Sequence, residues 1–239
     1  MIADSFDHSP KTGSIGTTIH MKAESLYELL NFISAELPIW RDRSDRECET
    51  AEERLTSQLC AHLNTAARMT EGWDILQFRT EIPDEGYKNR SIDLAPSPCG
   101  SVVCVEGRRC TEFDMILPIE CKRLPTPRAK DRDEREYVFD KNATKGGIQR
   151  FKLGFHGSRH NYGAMIAYIQ QDTAATWYDR VTSWIKDLVR AGQPDWSKND
   201  LLDLVKASPD TGVTIYRSMH HRNSALTDIE LRHLWLEMS

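Results

Sequence analysis

The segment LPIECKR, residues 117–123, decides how the chain is interpreted. Its apolar Leu117 and Ile119 alternate with Glu120 and Lys122, which is typical of a half-buried β-strand. Side chains two residues apart on a strand point to the same side and lie roughly 6–7 Å from each other. The strand therefore presents a carboxylate beside an ammonium. A carboxylate suits Mg²⁺, and a lysine can orient or deprotonate a water and offset the charge of a phosphate.

A single carboxylate holds Mg²⁺ weakly, so a second one is expected from elsewhere in the fold. Asp114 is predicted on the same strand as Glu120, but it lies six residues upstream. That separation is roughly 20 Å in an extended strand, which is too far to share an ion. Asp93 is predicted on a preceding strand, in RSIDLAP, and neighbouring strands lie only about 5 Å apart. We therefore expect Asp93, rather than Asp114, to join Glu120 as a metal ligand.

The rest of the chain predicts an α/β fold around this strand, because helical and strand-like apolar periodicities alternate along it. Predicted helices cover residues 21–37, 45–69, 142–153 and 173–190, with a short one near 199–206, and predicted strands cover residues 73–82, 90–95, 101–105, 112–123, 162–170, 213–219 and 229–236. Residues 1–20 are expected to form a flexible arm, and residues 21–239 a single domain with its core at about 47–190. The charged, proline-tipped stretch 125–136 is expected to be a solvated loop.

A basic window lies after that loop. Residues 141–160 contain no acidic residue and five basic ones, namely Lys141, Lys145, Arg150, Lys152 and Arg159. On the predicted helix Lys145, Gln149 and Lys152 are spaced i, i+4 and i+7, which places them on one face. Cationic contacts supply most of the sequence-independent affinity for nucleic acid. We therefore expect Lys145, Arg150 and Lys152 to contact phosphates.

Asp93 on one strand and Glu120-Cys121-Lys122 on a later one, with an acidic helix before them, resemble the PD-(D/E)XK, or restriction-endonuclease-like, nuclease superfamily. The resemblance covers residues 47–170. It implies a central mixed β-sheet flanked by helices, Mg²⁺ or Mn²⁺ as cofactor, and Lys122 as the activator of the attacking water. Two features depart from the family pattern. Ile92 stands where a proline precedes the acid in the family, and 26 residues separate Asp93 from Glu120, which requires an extra hairpin.

The resemblance also implies supporting residues on two helices. A glutamate on the preceding helix often joins the metal site, and here Glu52 and Glu53 are the candidates. Glu52 continues the inward stripe of Leu55 and Leu59, so it is the preferred candidate, although the choice between the two stays open. A glutamine or basic residue on the following helix often lies near the metal or the scissile phosphate, and Gln149 takes that position here.

Composition excludes several other classes of protein. The chain of 239 residues is 39% apolar and 28% charged, with no apolar run that could span a bilayer, so no membrane association is expected. No secretory pattern is visible, which predicts a cytoplasmic protein with reduced cysteines. The net charge of −5 argues against coating nucleic acid by bulk charge. The cysteine spacing does not form a zinc site, and no phosphate-binding loop is present.

These features lead to one expectation and two alternatives. The resemblance implies a Mg²⁺-dependent nuclease that cleaves phosphodiester bonds of DNA, in a setting such as prokaryotic restriction or anti-phage defence. Because the chain encodes no motor, a helicase or ATPase partner is plausible. The alternatives are a catalytically inactive subunit of the same fold that binds nucleic acid or a protein, and a ribonuclease acting on structured RNA. His220, His221 and His233 fall on or beside two predicted C-terminal strands and receive no functional assignment.

Overall fold

A seven-stranded mixed sheet forms the centre of the computed structural model, which describes residues 19–21, 23–86, 89–127, 132–141, 146–222 and 225–239. In spatial order the strands are β2 (Leu76–Pro83), β3 (Ser91–Pro98), β6 (Ile119–Leu124), β7 (Tyr162–Ile169), β10 (Ile229–Glu237), β9 (Val213–His220) and β8 (Asp203–Ser208). β6, β7 and β10 run parallel to one another, and the remaining neighbours pair antiparallel.

Helices cover both faces of this sheet. α1 (Ala23–Arg41) and α2 (Glu52–Met69) pack on one face, and α3 (Gly147–Lys152) and α4 (Ala174–Arg190) pack on the other. The central strand β7 is buried on both sides, which explains its nearly continuous apolar sequence YGAMIAYI. The predicted α/β class, with a mixed sheet flanked by helices, is therefore confirmed.

A second, three-stranded sheet contains two strands that lie between β3 and β6 in the sequence. It consists of β1 (Ile19–Met21), β4 (Val103–Val105) and β5 (Arg108–Cys110). β4 and β5 form a hairpin whose two turn residues, Glu106 and Gly107, have φ values of 50° and 76°. A two-residue hairpin turn that matches the right-handed twist of its strands requires positive φ at both central residues. This is the extra hairpin that the spacing between Asp93 and Glu120 demands.

Several predicted elements differ from the structure, among them the helix predicted over 45–69, which begins only at Glu52. The strand predicted over 112–123 begins only at Ile119, because the Asp114 carboxylate accepts hydrogen bonds from Thr111 N at 2.8 Å and Thr111 Oγ1 at 2.7 Å and closes a turn there. The short helix predicted near 199–206 is a 3₁₀ turn at Lys198–Asp200 followed by β8, because pairing with β9 overrides local preference. Residues 19 and 20, assigned to the arm, belong to β1.

Other predicted features lie partly or wholly outside the described residues. These are the rest of the arm, residues 142–145 of the predicted basic helix, including Lys145, and residues 128–131 of the charged loop. Within the described ranges, no helix is both long enough and apolar enough to cross a bilayer.

Candidate functional site

The candidate site lies where β3 and β6 separate. Their ladder is short, with Leu94 and Ile119 as its Cα partners. Beyond that pair, the backbone N–H of Cys121 donates to Asp93 Oδ2 at 2.8 Å, and the N–H of Arg123 donates to Glu52 Oε2 at 2.9 Å. Alternate N–H groups of a strand point to the same edge. Along this edge of β6, two carboxylates thus accept the hydrogen bonds that carbonyls of a neighbouring strand would otherwise accept. These bonds to the backbone hold the carboxylates at the site.

Lys122 lies at the centre of these acids. Its Nζ is 2.8 Å from Glu120 Oε1, 3.1 Å from Glu52 Oε1 and 3.7 Å from Asp93 Oδ2, and it also donates to the carbonyl of Cys121 at 3.0 Å. The three carboxylates come from three different elements, α2, β3 and β6. The structure therefore brings together four of the residues predicted from the sequence.

Glu120 is the most deeply buried of the three acids, with 0% of its surface exposed. Arg150 Nη1 approaches its Oε1 to 2.6 Å, and His156 Nε2 lies 3.5 Å from its Oε2, which accepts no hydrogen bond from any described residue. Burial alone would raise the pKa of Glu120, but the charges of Lys122 and Arg150 outweigh burial and lower it to about 2. Glu120 is therefore a carboxylate throughout the physiological range.

The same surroundings raise the pKa values of Asp93 and Lys122. Burial and the negative charge of Glu120 raise the pKa of Asp93 to about 7, although Lys122 and the Cys121 N–H oppose the shift. Burial alone would lower the pKa of Lys122, but the charges of Glu120, Asp93 and Glu52 outweigh it, so this pKa lies above its usual value. Lys122 therefore stays an ammonium, while the Asp93 carboxyl binds or releases a proton near neutral pH.

Glu52, Asp93 and Glu120 could supply oxygen ligands to a cation, and carboxylate oxygens are the ligands that Mg²⁺ prefers. One of these oxygens, Glu120 Oε2, is buried and has no hydrogen-bond partner among the described residues. In this arrangement the Lys122 ammonium stands between the acids. Accordingly, the described part of the chain contains no ready-made group of three acidic, histidine or cysteine side chains spaced for a metal.

A cleft of about 360 Å³ gives access to Asp93 and Glu52. It is lined by Glu52, Glu53, Thr56, Ser57, Thr80, Glu81 and Asp93. Glu52 reaches Lys122 from this wall, whereas its neighbour Glu53 is exposed to solvent. Of the two candidate glutamates, the structure thus places Glu52 against the lysine.

The helix after β6 differs from its prediction. Gln149 and Lys152, predicted on a polar face, are both buried. Gln149 Oε1 accepts a hydrogen bond from Asp140 N at 3.0 Å, and Lys152 Nζ lies 2.5 Å from Asp200 Oδ1. A buried and paired ammonium is not available to a phosphate, so Lys152 does not extend a phosphate-binding face. Arg150, predicted to contact phosphate, instead reaches Glu120.

Sequence reasoning did not find the contacts of Arg150 and His156 with Glu120. Arg150 lies 30 residues after Glu120, and its Nη1 also lies 2.9 Å from His156 Nε2. No spacing rule links a strand residue to a helix residue at that separation. The signal in the sequence is the density of basic residues in 141–160, which predicts a phosphate-binding surface rather than a contact with Glu120.

Comparisons of the chain with protein family models, with characterised proteins and with solved structures found no significant match. The site therefore has to be interpreted from its own geometry.

Proposed function

We propose that this protein is a Mg²⁺-dependent nuclease of the PD-(D/E)XK type that cleaves phosphodiester bonds of DNA. The observation that carries the proposal is the convergence of Glu52, Asp93 and Glu120, from three separate elements, on Lys122 Nζ within 2.8–3.7 Å. The order of elements also supports a restriction-endonuclease-like core. An acidic helix, α2, precedes the acid on β3 and the Glu-x-Lys on β6, and the helix α3 and the buried strand β7 follow them.

In this proposal each residue has a distinct part. Asp93, Glu120 and Glu52 would hold Mg²⁺ or Mn²⁺, which supplies a water of lowered pKa and neutralises the charge that develops on the phosphate. Lys122 has a flexible side chain and three N–H donors, so it can turn from the acids towards the attacking water and the scissile phosphate. Arg150 contacts the same Glu120 oxygen as Lys122, Oε1, and would keep that carboxylate ionised.

A second cleft indicates where nucleic acid could lie. It has a volume of about 900 Å³, and one of its lining residues, Arg123, directly follows Lys122 in the sequence. Arg123, Pro125, Thr126, Pro127, Glu134, Gln171, Asp172, Trp177, Arg180 and Trp184 line it. Guanidinium groups bind phosphates, and indole rings stack on bases. We place the substrate backbone along this cleft, with the scissile phosphate at Lys122.

A substrate panel tests the proposal. Purified protein is incubated with circular DNA, linear DNA and structured RNA, with Mg²⁺, Mn²⁺ or EDTA, and the Glu120→Gln variant is run beside the wild type. We expect cleavage of DNA by the wild type with either metal, and none with EDTA or in the variant. Cleavage of RNA alone would instead identify a ribonuclease, and cleavage that persists in EDTA would rule out the metal-dependent mechanism.

One feature favours a second candidate, a catalytically inactive subunit that binds nucleic acid or a protein partner. Glu120 already has two cationic partners, Lys122 and Arg150, so its charge is balanced without a metal. Calorimetric titration separates the two candidates. An absence of Mg²⁺ and Mn²⁺ binding, together with DNA binding that is insensitive to Asp93→Asn, would favour the inactive subunit. A helicase or ATPase partner and a role in restriction or anti-phage defence are extensions of the nuclease proposal.

A further inference from the structure

His220 and His233 belong to a continuous chain of hydrogen bonds inside the protein. The chain links side chains of the 136–140 segment, β10, β9, the 3₁₀ turn and α3. Its contacts are Trp235 Nε1–Tyr137 Oη at 2.7 Å, Tyr137 Oη–His233 Nδ1 at 2.7 Å, His233 Nε2–Ser218 Oγ at 2.7 Å, Ser218 Oγ–His220 Nε2 at 2.6 Å, His220 Nδ1–Asp200 Oδ1 at 2.6 Å and Lys152 Nζ–Asp200 Oδ1 at 2.5 Å.

Part of this chain has the connectivity of a nucleophilic triad. Asp200 pairs with His220 Nδ1, and His220 Nε2 pairs with Ser218 Oγ, as in serine hydrolases. However, none of the three residues is more than 1% exposed, and the serine oxygen is also held by His233. A substrate cannot reach such a serine. The arrangement is therefore structural rather than nucleophilic.

The chemistry of its two ends gives the chain one direction. The indole of Trp235 can only donate, so the hydroxyl of Tyr137 accepts from it and donates to His233 Nδ1. His233 then carries its proton on Nε2 and donates to Ser218, which donates to His220 Nε2. His220 carries its proton on Nδ1 and donates to the Asp200 carboxylate. With both histidines neutral, each is thus held in a single tautomer.

The chain of hydrogen bonds is connected to α3 at Tyr137 and at Lys152. At the start of the helix, the N–H groups of Gly147 and Ile148 donate to the carbonyls of Glu136 at 2.8 Å and Tyr137 at 3.2 Å. At its end, Lys152 is bound to Asp200. The chain from Tyr137 to Lys152 thus closes around the helix through β10 and β9. A helix of six residues has little stability of its own and depends on such contacts.

We propose that this hydrogen-bonded chain is a clamp that positions α3, and with it Arg150, against Glu120. Ser218, His220 and Asp200 are then positioning residues of the site, although they touch none of its carboxylates. That the clamp positions α3 is independent of the proposed function. The expected effect of the clamp on cleavage rests on the proposed function. The two parts are measured separately.

The Ser218→Ala variant tests the clamp, because it removes the link between the two histidines. We expect exchange of the α3 amide hydrogens with solvent to become roughly tenfold faster, because buried groups lose their partners. Exchange in α4 should not change. Ser97→Ala is the matched control, since Ser97 is also fully buried and hydrogen-bonded, to Arg79. In the cleavage assay, Ser218→Ala should lower kcat and leave the KM for DNA unchanged, and Ser218→Thr should restore kcat.

A measurement on the wild type covers the case in which Ser218→Ala fails to fold. Nitrogen chemical shifts of the imidazole rings should report the proton of His220 on Nδ1 and that of His233 on Nε2. Opposite tautomers, or α3 exchange that matches the Ser97→Ala control, would overturn the clamp. An inactive wild type with the expected tautomers and exchange would instead remove the nuclease function and leave the clamp intact.

Discussion

The Asp93 carboxylate accepts a hydrogen bond from the backbone N–H of Cys121, 2.8 Å away, at the point where β3 and β6 cease to pair. This contact does two things. It gives a hydrogen-bond acceptor to an N–H of β6 that no longer pairs with the backbone of β3. It also holds the carboxylate beside Lys122. The position of the acid is therefore a consequence of strand register rather than of a flexible loop.

Substitution of Asp93 should separate these two contributions. Asp93→Asn keeps an oxygen acceptor for Cys121 N–H but removes the charge, so we expect a folded protein whose Mg²⁺-dependent cleavage falls about a hundredfold or more. Asp93→Ala also removes the acceptor and should cost a further 1–3 kcal/mol, approximately, in the free energy of unfolding. Urea unfolding and plasmid cleavage measure the two effects. Equal stability of the two variants would contradict the structural part of this account.

Glu52 and Glu53 form a matched pair of neighbouring glutamates. Glu52 contacts both Lys122 Nζ and Arg123 N, whereas Glu53 is exposed. We expect Glu52→Gln to weaken metal binding about tenfold or more, and Glu53→Gln to leave it nearly unchanged. Isothermal titration of Mg²⁺ into each variant provides the comparison. A larger loss of Mg²⁺ affinity in Glu53→Gln than in Glu52→Gln would contradict a metal site beside Lys122.

Arg150 is predicted to keep Glu120 ionised. Glu120 has two close cations, and Arg150→Met removes one of them. The pKa of Glu120 should therefore rise, and cleavage should fall by roughly tenfold or more. Arg150→Lys retains the charge and should recover part of the loss. Titration of the Glu120 carboxyl by NMR identifies the cause, because its pKa should be higher in Arg150→Met than in the wild type. An unchanged pKa of Glu120 would contradict this role.

The geometry at Glu120 and Lys122 could be predicted because it follows from the two-residue period of a strand. The position of Asp93 could be predicted from the spacing of neighbouring strands, although not its bond to Cys121. The fate of Lys152 could not be predicted, because its partner Asp200 lies 48 residues later in a turn that was expected to be helical. Local spacing places residues on a face, but only tertiary packing decides whether that face is exposed.

The buried histidines of the clamp make stability depend on pH. Burial lowers the pKa of His220, with Asp200 opposing and Lys152 acting in the same direction, and burial also lowers the pKa of His233, with Arg232 acting in the same direction. Histidines in the unfolded chain titrate near 6.5, so below about that pH the unfolded state binds more protons than the folded one. Stability is therefore present above this pH and is lost as the pH falls.

Urea unfolding at a series of pH values tests this dependence. Each of the two histidines can contribute at most about 1.4 kcal/mol per pH unit below 6.5. His156, whose pKa burial lowers to about 4, acts in the same direction. His233→Gln should reduce the slope, and a His221→Gln control, at an exposed position, should not. Equal slopes in the wild type and His233→Gln would contradict a neutral, buried His233.

The most direct test of the central claim, that the acids around Lys122 form a nuclease site, is plasmid cleavage in Mg²⁺ by the wild type and Lys122→Met. Lys186→Met, at an exposed position on α4, is the matched control, and circular dichroism verifies that each variant is folded. The account predicts cleavage by the wild type and by Lys186→Met, and none by folded Lys122→Met. Full cleavage by Lys122→Met would contradict it.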